Sequence, residues 1–158
     1  SVSMDSLVIV SFAVSILLAV YEFIGVLKAR LSGKTKNTGR VVARFFIFII
    51  LIILLWESVH WYAYISAMEF PLAEDIKIKN TPFLICIFGI TMIIIFIFVE
   101  MWTLYAEKKK GVAVNLAYRL ASAIIILLCL IPILIKTVTM WDTYNEKLKQ
   151  QYEYIKKK

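Results

Sequence analysis

Four long apolar runs divide the chain, and none of them alternates between apolar and polar positions as a half-buried strand would. They are Leu7 to Leu27, Phe45 to Trp56, Phe83 to Val99 and Leu120 to Ile135. The second starts beside Arg44 and continues as large apolar side chains to Trp56-Glu57. A helix built from it is hydrophobic on every side, so it needs lipid or protein all round rather than one wet face. The punctuation between runs predicts helices over about residues 5–31, 40–68, 81–110 and 112–158. Asp5 or Ser6 caps the first, and Ser32-Gly33 ends it with a glycine suited to the left-handed conformation. Pro71 closes the second, and Glu69 to Asn80 is the longest irregular stretch. Thr81-Pro82 opens the third, Lys110-Gly111 closes it, and Pro132 predicts a kink in the fourth. Short connections between such helices give an all-α, up-down-up-down four-helix bundle, with residues 1–158 as one domain.

Beyond Lys136 the composition turns charged without a helix breaker. Trp141, Tyr144, Leu148, Tyr152 and Ile155 keep helical spacing there, which predicts an amphipathic helical extension whose apolar stripe seeks a partner. Ser11, Ser15 and Ala19 recur every fourth residue on the first helix. They form a ridge of small side chains on which another helix can approach closely. Both sets are candidate subunit contacts.

Composition removes the soluble class. The 158 residues are 61% hydrophobic with a mean hydropathy of +0.83, and backbone amides in hydrocarbon must be satisfied within their own helix. The first run is longer than the apolar core of a signal peptide and lacks a basic flank, so it reads as a retained helix. Trp102 and Tyr105 before Glu107-Lys108 repeat the pattern of Trp141 and Tyr144 before Glu146-Lys147. That pattern suits a helix leaving an apolar slab through an aromatic belt. Cys86 and Cys129 lie within apolar runs and are expected as small buried hydrophobes rather than a disulfide.

The net charge of +7 is unevenly placed. In an up-down bundle the first and third connections share one end. That end gathers Lys28, Arg30, Lys34, Lys36, Arg40, Arg44, Lys108, Lys109, Lys110 and Arg119 against Glu107. The positive-inside rule makes this end cytoplasmic and puts both termini on the other side. Topology alone accounts for the asymmetry. The sharper alternative is that Lys28, Arg30, Lys34, Lys36, Arg40, Arg44 and Lys108 to Lys110 meet a polyanion, lipid or nucleic acid, by sequence-independent neutralisation.

Candidate chemistry is sparse. His60 and Glu57 share a helix face, but di-iron bundles need that motif twice with further carboxylates. No phosphate loop, nucleophile elbow, zinc cluster or catalytic carboxylate pair is present. No catalytic residue, metal site, cofactor or small-molecule substrate is therefore expected. Glu22, Glu57 and Glu100 stand near the C-terminal ends of apolar runs, where they reach the interface or pair with Arg44, Lys136 or Arg119; the alternative is a proton path.

The layout of these runs, with the basic turn Lys34-Thr35-Lys36-Asn37-Thr38-Gly39-Arg40, resembles the major capsid proteins of the tailed spindle-shaped viruses of archaea. The resemblance implies a virion coat subunit, resident as a multi-pass protein in the host membrane before assembly. It would pack against copies of itself through apolar helix faces into helical strands, its basic end turned to the lumen and to DNA or nucleoprotein. A different class also fits: a small accessory integral-membrane subunit of a respiratory or transport complex.

Overall fold

The computed structural model describes residues 4–33, 38–67, 81–113 and 115–157. Four helices are present: α1 Met4–Leu31, α2 Thr38–Ser66, α3 Thr81–Lys109 and α4 Leu116–Lys156. No strand occurs among the described residues. The stretch expected to be irregular, Glu69 to Asn80, lies outside them. Each helix contains a segment long and apolar enough to cross a membrane.

The helix ends follow local chemistry. Gly33 and Gly111 both take positive φ, 69° and 73°. At the end of α3 the Val112 N–H donates to the Glu107 carbonyl and the Gly111 N–H to that of Lys108, the paired bonds of a Schellman cap. The fourth helix starts later than the expected residue 112. Asn115 is itself left-handed, with φ 53°, so among the described residues between α3 and α4 both Gly111 and Asn115 are left-handed, and α4 begins only at Leu116. Pro132 lies buried inside α4 without ending it.

The helices run alternately up and down, and their cross-section is a rhombus. α2 packs on each of the other three and α4 closes on both α1 and α3, while α1 and α3 do not meet among the described residues. The core is supplied mainly by the short diagonal: Phe48, Leu51 and Leu55 of α2 against Ile126, Cys129 and Ile133 of α4, with Ile93 of α3. At Gly89 the fit between α2 and α3 is so close that a Cβ would lie 2.6 Å from Leu54 Cδ2.

α1 is built differently. Its buried positions are Val8, Ser11, Ser15, Ala19 and Glu22, whereas Ile9, Leu17 and Val20 point outward and are more than half exposed. Small and polar side chains inside with large apolar ones outside reverse the pattern of a water-soluble helix and suit lipid. Hydroxyls follow the same logic: Thr91, Thr103, Thr137 and Thr139 each donate to the carbonyl four residues back, which satisfies them without water.

α4 outlasts the bundle. At about 1.5 Å per residue its 41 residues span roughly 60 Å, against about 43 Å for α2 or α3. Its later part first closes a second core, in which Met140 and Tyr144 pack on Ile65 and Phe83 with Trp61, Tyr62 and Leu148 around them.

Candidate functional site

At the end shared by the α1–α2 and α3–α4 turns, charged side chains from every helix converge inside the bundle. The Arg44 guanidinium of α2 donates from Nε to Glu22 Oε1 of α1 at 2.8 Å, and its Nη1 stands 3.8 Å from Glu100 Oε1 of α3. Arg119 of α4 donates from Nε to the same Glu100 oxygen at 2.6 Å. Arg119 and Arg40 each bond one oxygen of Glu107. The Tyr118 hydroxyl donates to Glu22 at 2.6 Å.

Three carboxylates thus face three guanidiniums, and their formal charges cancel. Burial is graded: the Glu22 and Arg119 side chains are 3% and 4% exposed, Glu107 is 19% and Arg40 is 38%. An unpaired charge costs about 2.5–3.5 kcal/mol at the centre of a membrane helix on insertion scales, an upper bound for groups nearer its end, so mutual pairing lowers the cost of standing these residues in apolar spans. Two guanidinium nitrogens, Arg44 Nη1 and Arg119 Nη2, are buried without a hydrogen-bond partner. Every carboxylate in the cluster is engaged by an arginine, which leaves none of the three as an open general base. The arrangement ties four helices together at one level.

The opposite end is aromatic. Glu57 accepts a hydrogen bond from Trp61 Nε1 at 2.6 Å, and exposed His60 stacks on Trp56 with rings 8° from parallel. Lys136 places its ammonium 4.4 Å from the Tyr62 ring centre. Glu57 and His60 therefore engage different neighbours. Among the described residues no three His, Cys, Asp or Glu side chains gather as a metal site requires. Cys86 and Cys129 are buried free thiols, the second accepting from Ser15 Oγ at 3.8 Å.

The expected polyanion face divides. Lys28, Arg30, Lys108, Lys109 and Lys110 are exposed at the charged end. Arg44 is buried on Glu22, and Arg40 is half-buried on Glu107, so the fold draws these two inward and their charge is cancelled there. Lys34 and Lys36 lie outside the described residues. The expected contact sets divide too. Ser11, Ser15 and Ala19 are buried within the chain, because α1 turns its small ridge onto its own bundle; as subunit contacts they are corrected. Tyr144 is buried in the second core and Leu148 packs beside it, whereas Trp141, Tyr152 and Ile155 are 47%, 68% and 61% exposed.

Sequence reasoning anticipated that Glu22 and Glu100 pair with arginines but missed Arg40, Glu107 and Tyr118 as members. Hairpin arithmetic would have helped: Glu22 and Arg44 each stand 11 residues from Gly33, so folding the chain there brings them level. Arg40 and Arg44 on α2, and Glu100 and Glu107 on α3, are spaced by one and two helical turns, so each pair shares a face.

No family model matches this chain, and neither does any curated protein or solved structure.

Proposed function

We propose that the protein is a structural subunit that inserts as a four-helix membrane bundle and then assembles with copies of itself into a helical coat. The observation that carries this reading is the end of α4. That helix continues past the aromatic end of the bundle and leaves Tyr152 and Ile155 exposed on a segment rich in lysine and glutamate. Apolar spans can be covered by lipid, but a stripe on a charged, projecting helix asks for protein. The apolar exterior of the bundle supports the same reading. Phe88, Phe98 and Trp102 are each at least two-thirds exposed, and such non-directional faces tolerate a shift in register between neighbours better than buried hydrogen bonds would. Lys28, Arg30 and Lys108 to Lys110 then turn to the lumen and to DNA or nucleoprotein.

Truncation after Lys149 tests the assembly. It removes Tyr152 and Ile155 while keeping Met140, Tyr144 and Leu148, so the second core stays intact. The truncated chain is expected to insert and keep its helicity but to form no ordered tubes when detergent is withdrawn, as seen by negative-stain microscopy. Tubes indistinguishable from those of the full chain would refute the role given to the tail. Purification as a fixed-ratio partner of larger subunits would favour an accessory subunit instead.

A further inference from the structure

Two corners of the rhombus, α1 and α3, carry outward stripes of exposed side chains. On α3 the stripe takes residues three and four apart from Leu84 to Tyr105 and is bulky: Phe88, Phe98, Trp102 and Tyr105 are each 66% or more exposed. On α1 it keeps the same spacing from Val10 to Leu27 and is aliphatic throughout. The ion network fixes how the two compare in height. Glu22 and Glu100 both approach Arg44, at 2.8 and 3.8 Å, so they stand level, and α1 and α3 run in the same direction. Twelve residues before these acids come Val10 and Phe88; two before, Val20 and Phe98; two after, Ile24 and Trp102. At each of these levels one corner presents a ring and the other a smaller aliphatic side chain.

We propose that α3 of one copy packs on α1 of a second copy within the membrane, so that copies related by translation along the long diagonal form an open row. Such a contact is heterologous, and repeating it extends the row rather than closing it. One bilayer holds all copies at the same depth, which sets each ring against its aliphatic counterpart at the roughly 8–10 Å spacing of packed helices. Pairing α3 with α3 instead would crowd Phe98 on Phe98 and Trp102 on Trp102. Lipid covers rings and aliphatic groups alike, so it gives no reason for bulk at one corner to match small size at the other, level by level. The area is of the right order: at about 150–250 Å² per aromatic side chain, the exposed parts of the four rings alone amount to roughly 400–700 Å², against about 800 Å² per partner in a standard interface. The contact rests on the proposed self-assembly and deepens it, but it lies in the apolar span, away from the tail on which coat formation depends.

Disulfide trapping of the full chain in reconstituted membranes tests the row. With Val20→Cys and Phe98→Cys in one chain, oxidation by copper phenanthroline is expected to give a ladder of dimers, trimers and longer species on a non-reducing gel. The bridges must form between copies, because α1 and α3 of one chain do not meet among the described residues. Either substitution alone is expected to leave monomers, as is Val10→Cys with Phe98→Cys, whose levels differ by about 15 Å. The native thiols of Cys86 and Cys129 are buried and stay in place. Circular dichroism checks that these outward-facing substitutions leave the helices intact. Monomers alone from the first chain, or dimers from a single substitution, would overturn the row. In the full chain, a ladder without tubes would sink the coat and leave the row standing, whereas tubes without a ladder would sink the row and leave the coat.

Discussion

The two ends of the bundle solve the same problem with different chemistry. At the charged end Glu22, Arg44, Glu100, Arg119, Glu107 and Arg40 bind the helices through directional, mutually dependent contacts. At the aromatic end Phe83, Met140, Tyr144 and Ile65 do so by burial and ring packing, with Phe83 and Trp141 edge to face at 5.0 Å. Between Arg44 and Trp61 on α2, and between Arg119 and Trp141 on α4, the chain rises about 25 and 33 Å, close to the thickness of a bilayer core. Both ends therefore lie near the boundaries of an apolar slab. Charges fix which helix stands where, because a misplaced partner leaves an ion unpaired. Rings fill space and tolerate adjustment.

That difference predicts unequal sensitivity. Arg119→Met removes the nearest partner of Glu100 and one of the two arginines on Glu107 and is expected to cost about 3–5 kcal/mol, the range for breaking a buried pair from one side; thermal unfolding in detergent, followed by circular dichroism, measures it. A loss as small as that of an exposed pair would mean water reaches the network. At the other end Lys136→Met removes an ammonium from the Tyr62 ring at a position that is only half-buried, and a loss of about 0.5–1 kcal/mol is expected. Should the two substitutions prove equally costly, the contrast between the ends fails.

The sequence made the helices legible because the apolar runs are long and the glycines at residues 33 and 111 mark the turns. It also exposed the partners of Glu22 and Glu100 as candidates, since each acid stands near an arginine across a hairpin. What it hid was selection among neighbours. Arg40, Arg44 and Lys28 look alike as a basic run, yet helical rotation turns Arg44 into the bundle, leaves Arg40 half-covered and keeps Lys28 outside. Likewise Ser11, Ser15 and Ala19 signal a close-packed face without saying whose helix covers it. The tail stripe reads as continuous, but only three-dimensional placement separates Tyr144, covered by Phe83 and Ile65, from Tyr152 and Ile155, which project beyond the bundle.

The claim on which the rest stands is that the charges within the spans satisfy one another, leaving apolar surface outward. A double-mutant cycle on Glu22→Met and Arg44→Met, read by unfolding free energy in detergent, tests it directly. Mutual satisfaction predicts that each single change is costly and that the double change recovers part of the loss, with a coupling on the order of 1–3 kcal/mol. Losses that simply add, within about 0.5 kcal/mol, would contradict it.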